Sequence, residues 1–221
     1  MSLSYRLKRI VDFVPIDAHF IADIGADHGL VTLELASTRK DAKFFASDNK
    51  KGPFSRLEKT LYPYNNIILS LSSGLDELPS EVDTVIIAGM GGGLIKSILE
   101  QGKVHLSHIN YLILSPHNEA DLVRKYLYEN GFVLEKEDFI KDDSIYYSIL
   151  LFKKGNGKLT NKEEKYGPFI LKEKNEIFIE FINKEIKRNE LIVNKINDEK
   201  RVEEINKYLK ELKELWLILK N

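Results

Sequence analysis

Acids and glycines crowd into the stretch IADIGADHGL at residues 21–30. Asp23 closes an apolar run, Gly25 permits a tight turn, and Gly29 lets a following helix start close by. A strand end, glycines and a helix start make a common nucleotide-binding turn. The spacing D-x-G-x-x-x-G departs from the dinucleotide fingerprint, because Asp27 stands where that fingerprint has glycine. A carboxylate there repels a pyrophosphate but suits a cationic sulfonium and the ammonium of an amino acid. The sign of the charge therefore favours S-adenosylmethionine over NAD. Taken alone, the same residues also read as a strand-to-helix turn capped by Asp27.

Four further segments could serve the same chemistry. Asp48, in ASDNKKGP, stands about 20 residues past the glycine turn, where an acid accepts hydrogen bonds from both hydroxyls of a ribose. By itself it is equally a helix N-cap. In SSGL, Ser73 could bond an adenine and Gly74 would let the base approach the backbone, although Ser-Gly is ordinary turn material. AGMGGGLI has three consecutive glycines, which cost conformational entropy unless backbone must approach a ligand or flex. Met90 would then sit over the transferred group, and a plain flexible loop is the alternative. In SPHNEADL, Asn118 is expected to cap the next helix. His117 either faces a substrate or is a surface histidine without a role.

Absences narrow the classes. There is no P-loop, no H-E-x-x-H and no G-x-S-x-G, and the five histidines are scattered, so no metal site is expected. The chain has no cysteine, which removes disulfides, thiolate metal sites and a thiol nucleophile. Its 221 residues are 43% hydrophobic, enough for one buried core and an appendage. No apolar run reaches transmembrane length and MSLSYRLKRI has no signal-like core, so a cytoplasmic protein without membrane attachment is expected. A net charge of −1 argues against broad, nonspecific nucleic-acid binding while leaving room for a local basic patch.

These segments need elements to hold them. Strand-like runs at 19–24, 43–47, 67–71, 83–88 and 110–114 alternate with helix patterns near 29–38, 53–61, 92–101 and 118–129, after a first helix at Tyr5–Val14. That alternation predicts an α/β fold with a parallel, doubly wound sheet. FVLEKEDFI, the turn KDDS, and IYYSILLF then read as an antiparallel hairpin closing the sheet. This ending suits a Rossmann-like class I methyltransferase better than a dinucleotide fold. KKGNGKLT at 153–160 reads as a linker, giving a cofactor-binding domain over 1–154 and a helical domain over 155–221. In the latter, Ile170, Ile177, Phe181, Ile186 and Ile192, then Val202, Ile205, Leu209, Leu212 and Trp216, predict a helical hairpin broken near 197–200.

DIGADHG, ASDNKKGP, VIIAGMGGGLI, YLILSPH and YGPFIL together resemble the bacterial tRNA (adenine-22-N1)-methyltransferase family over nearly the whole chain. The resemblance implies a class I methyltransferase domain followed by a coiled-coil-like helical domain. It implies methyl transfer from S-adenosylmethionine, leaving S-adenosylhomocysteine, to N1 of one adenosine in the D-arm region of tRNA. By position it puts Asp23, Gly25, Ala26, Asp27 and His28 on the methionine side of the cofactor. Asp48 and Asn49 would hold the ribose, Ser73 and Gly74 would face the adenine, and Ala88, Gly89 and Met90 would border the methyl. Two departures stand out: Ser73 replaces the family's common acid, and Ser115-Pro116-His117 replaces its common Gln-Pro-Asn.

Adenine N1 carries a free lone pair, so catalysis is expected to be mainly alignment, with Asp27, Met90 and His117 as catalytic candidates. Arg6, Lys8 and Arg9, Lys50 and Lys51, and Lys153 and Lys154 are candidates for a basic rim that binds RNA; each is otherwise solvated surface charge. The alternatives are a methyltransferase acting on another RNA position, an NAD(P)-dependent oxidoreductase, and a non-catalytic cofactor- or RNA-binding regulator. Oligomeric state is open, with a monomer as the starting expectation.

Overall fold

The computed structural model describes residues 3–220; Met1 and Ser2 of the N-terminal stretch, and Asn221 at the end of the expected helical domain, lie outside them. The chain divides into two compact units, one ending at Gly167 and one beginning at Pro168.

The first unit alternates α1 (Tyr5–Asp12), β1 (Phe20–Ile24), α2 (Leu30–Thr38), β2 (Lys43–Asp48), α3 (Lys51–Leu61), β3 (Ile67–Leu71), β4 (Thr84–Met90), α4 (Gly92–Gln101), β5 (Tyr111–Pro116) and α5 (Ala120–Glu129). A hairpin of β6 (Phe132–Asp142) and β7 (Ile145–Lys154) and a short α6 (Asn161–Tyr166) follow. All seven strands form one sheet in the order β3-β2-β1-β4-β5-β7-β6. β1 to β5 pair in parallel, and β7 joins β5 antiparallel with β6 outside it. Every residue of β1 is buried, as befits a strand covered on both faces. Successive crossovers run outward from β1 to β3, then return to β4 on its other side. The ends of β1 and β4 therefore flank a topological switch point, where open α/β sheets bind ligands.

The sheet matches the expected fold class, and the largest difference lies at its end. The stretch expected to be a linker is packed against the first unit. A side chain on Gly155 or Gly157 would press into Val133, and Gly157 also abuts Tyr128. Arg124 on α5 then reaches the carbonyls of Glu164 and Lys165 at 3.1 and 3.4 Å, while its Nε and Nη2 donate to Glu137 Oε1. Residues 155–167 thus belong with the sheet, and the division falls at Gly167 rather than at 154. Gly167 has φ +94°, and a Cβ there would lie 2.3 Å from the Glu137 carboxylate.

The second unit holds α7 (Pro168–Glu173), α8 (Glu176–Val193) and α9 (Glu199–Lys220). α8 packs on α9, burying Phe178, Ile182 and Ile186 on one helix and Leu209, Leu212, Leu215 and Leu219 on the other. The seam of α8 thus runs one residue later than the expected Ile177 and Phe181, which flank it half-buried. Among the described residues, no helix is long and apolar enough to cross a membrane.

Candidate active site

Two cavities open at the C-terminal ends of the parallel strands, of about 690 and about 350 Å³. Gly25, Asp27, Ala88 and Gly89 line both, so the cavities adjoin across the ends of β1 and β4.

The β1–α2 loop is pinned by its own backbone. Gly25 and Ala26 donate N–H groups to the Ser47 carbonyl at 2.8 and 2.9 Å, and Gly29 donates to Ala26 at 2.7 Å. Gly25 has φ +71°, and the space a Cβ would take is filled by the Met90 methyl. Gly29 has φ +66° and admits Leu57 and Leu61 of α3. Asp23, only 7% exposed, accepts the Thr32 hydroxyl at 2.8 Å. Burial raises its pKa to about 6, against the opposing hydrogen bonds from Thr32. Asp27 adopts a left-handed φ of +48°, and its exposed carboxylate takes Arg56 Nη2 at 2.7 Å, with His28 Nε2 at 3.7 Å. Arg56, one helix away, was not singled out in the sequence because nothing local ties it to the loop.

At the end of β2, Asp48 is not the N-cap of α3; that position is Lys50, whose side chain makes no capping bond. One Asp48 oxygen accepts the Lys50 N–H at 2.9 Å in a turn ahead of the helix, while the residue, with Asn49 beside it, lines the larger cavity. Ser73 and Gly74 line the same cavity beyond β3, and Gly74 has φ +53°. Their neighbour Ser72 has a buried hydroxyl with no protein partner.

The glycines after β4 divide by role. A register shift between Ala88 and Met90 bulges the strand, and Gly89, at φ +78°, has open space around it. Gly91–Gly93 form no flexible loop, since α4 begins at Gly92. A Cβ on Gly92 would lie 2.3 Å from the Glu119 carbonyl, so packing between α4 and the β5–α5 turn demands that glycine. Asn118 also differs from expectation. With Glu119 left-handed at φ +52°, Asn118 caps α4 through the Gly92 N–H and leaves α5 to Glu119. His117 donates its N–H to the Met90 carbonyl and lines the smaller cavity, its ring 5.8 Å from that of Tyr147. Ser115 is fully buried, its hydroxyl without a protein partner.

The structure does not gather the basic candidates into one rim. Arg6 lines the smaller cavity and Lys50 the larger, with Lys51 exposed beside it. Lys8 is exposed on α1, while Arg9 is bound by Asp138 at 2.5 Å. Lys153 pairs with Glu135, and Lys154 donates to the Ser107 carbonyl. Because Lys153 stands opposite Tyr111 at the start of β5, both lysines lie at the sheet edge away from the cavities.

This strand order, with acid and glycine loops converging at the switch point, defines a Rossmann-like class I methyltransferase fold. The chain belongs to the tRNA (adenine(22)-N(1))-methyltransferase family, whose model matches residues 21–215. The tRNA (adenine(22)-N(1))-methyltransferase of Bacillus subtilis is 30% identical, across 100% of this chain and 96% of that protein. The crystal structure of the B. subtilis m1A22 tRNA methyltransferase superposes with a TM-score of 0.83 at 30% identity, covering 99% of this chain and 97% of that one. A Streptococcus pneumoniae protein solved in complex with S-adenosyl-L-methionine gives 0.88 at 28% identity, covering 97% and 100%. This membership leaves the oxidoreductase alternative without support.

Proposed function

We propose that this chain transfers a methyl group from S-adenosylmethionine to N1 of the adenosine at position 22 of tRNA. The observation that carries the reading is the pair of adjoining cavities, one of ligand size beside a smaller one, joined at Gly25, Asp27, Ala88 and Gly89.

The residues present fit the cofactor. Asp48 has a second oxygen for ribose hydroxyls, and Ser73 lines the cavity where an adenine would lie, on a turn that Gly74 forms at φ +53° with Ile98 packed where its Cβ would be. Asp23, with Ala26 and His28 in the same loop, sits where an ammonium would be received. When bound, the cofactor supplies an electrophilic methyl on a sulfonium. The protein's part is to hold the acceptor nitrogen in line with that methyl, because adenine N1 needs no prior deprotonation. Ala88, Gly89 and Met90 border the transfer position, and His117 borders the acceptor side. Asp27 stabilises the cationic product base, with a field moderated by Arg56. N1 is paired or stacked in folded RNA, so the adenosine leaves its stack to enter. Lys50 and Lys51 are the basic candidates placed to meet RNA at this edge.

The test is methylation of unmodified bulk tRNA with labelled cofactor, followed by nucleoside mapping. The expected product is N1-methyladenosine at position 22; its absence overturns the proposal.

A further inference from the structure

The amino-acid end of the cofactor is a zwitterion, so its site must offer both signs of charge. We propose that Arg6, on the N-terminal helix, binds the carboxylate of the cofactor's methionine moiety in the smaller cavity. The inference rests on the reading that this chain binds S-adenosylmethionine.

The smaller cavity already has an acid for the ammonium in Asp23, while Asp27, which also lines it, is paired with Arg56. Among the described residues, Arg6 is the one side chain of permanent positive charge lining it. The setting of Arg6 is that of a ligand-binding group. Its guanidinium carbon lies 4.8 Å over the Tyr147 ring, which holds the plane while leaving its edges to hydrogen-bond. Its Nη1 is buried without a protein acceptor, and Arg6 makes no ion pair within 4 Å among the described residues. A buried guanidinium N–H left in that state is costly and calls for an acceptor.

The nearest competitor is Asp142, whose charge draws on Arg6 from a distance. That carboxylate is occupied in capping α1, where it accepts the Arg6 and Tyr5 N–H groups and the Ser4 side chain. Arg9, one turn further along the same helix, shows the contrasting case: Asp138 binds it through both Nε and Nη2. The cavity also takes in Leu30 and Val31 at the start of α2. The N-cap there is Gly29, which has no side chain, so the positive end of that helix adds to the attraction for an anion. An RNA phosphate would meet Asp23 and Asp27 with no cation of its own to offer them. A zwitterion satisfies both sides, and that decides between the two anions.

The experiment measures binding of S-adenosylmethionine and of decarboxylated S-adenosylmethionine, which keeps the sulfonium and the amine, to the full chain by calorimetry. Arg6→Gln should weaken the first ligand roughly 10- to 100-fold and leave the second within about twofold. Arg6→Lys should recover part of the loss, and Lys8→Gln on the same helix should change neither. Equal weakening of both ligands by Arg6→Gln, or no change in either alongside weaker tRNA binding, overturns the proposal. If the unaltered protein binds neither nucleoside, the cofactor reading itself falls. That result is separable from a failure confined to Arg6.

Discussion

Glu137 and Asp23 are both buried acids of the first unit, and the protein treats them in opposite ways. Glu137, 5% exposed, receives two guanidinium N–H groups from the equally buried Arg124, which also binds the carbonyls ahead of Gly167. Among the described residues Asp23 has only Thr32 and makes no ion pair, and burial raises its pKa to about 6. A charge matched within the protein is architecture. A charge buried without a cation costs stability, and an arriving ammonium can supply what is missing.

The largest expected effect falls on the matched pair. Arg124→Ala leaves Glu137 buried without its cation and should cost about 3–5 kcal/mol in urea denaturation. A loss under about 1 kcal/mol would erase the distinction drawn here.

Asp23→Asn should act with the opposite sign. Raised from 3.8 to about 6, the native pKa means that Asp23 opposes folding above pH 6 and not below pH 4. The variant should therefore be more stable than the parent at pH 7.5, by up to about 3 kcal/mol, with the gap closing as pH falls to 4. Its affinity for S-adenosylhomocysteine should fall at least about tenfold in calorimetry at pH 7.5. A less stable variant with unchanged affinity would make Asp23 a second piece of architecture.

Glycines sharpen the contrast on a smaller scale. Gly167→Ala drives a Cβ against the fixed Glu137 carboxylate at positive φ, so it should lower stability by about 2 kcal/mol. Gly25→Ala meets only the flexible end of Met90, so the stability cost should be about 1 kcal/mol while cofactor affinity falls. The smallest effect belongs to Lys153→Ala, which removes an exposed ion pair. It should change stability by less than about 0.5 kcal/mol and leave tRNA affinity unchanged. A measurable loss of tRNA binding would return that edge of the sheet to the RNA surface.

The alternation of apolar runs and turns made the sheet legible because both signals are local. The position of Asp48 at the end of β2 was legible as well, since it follows from spacing. What escaped depends on tertiary approach. Arg56 reaches Asp27 from another helix, and Arg124 meets Glu137 only once α5 lies on β6. The glycines after β4 looked like ligand-facing backbone, yet Gly92 answers to the Glu119 carbonyl across a helix interface. Asn118 looked like a cap for its own helix and serves α4 instead, because Glu119 turns left-handed. Arg6 and Arg9 are three residues apart and alike in sequence; only their neighbours, Tyr147 and Asp138, tell them apart.

The grip of Arg124 on the chain ahead of Gly167 governs how the protein can be dissected. A fragment ending at Gly155 would discard the Glu164 and Lys165 carbonyls and leave one arm of a buried guanidinium without acceptors. Its inactivity would report a damaged catalytic unit and say nothing about the helices. A cut after Gly167 keeps those acceptors and the close approach to Glu137, so it is the fragment in which the contribution of α8 and α9 to tRNA binding can be measured.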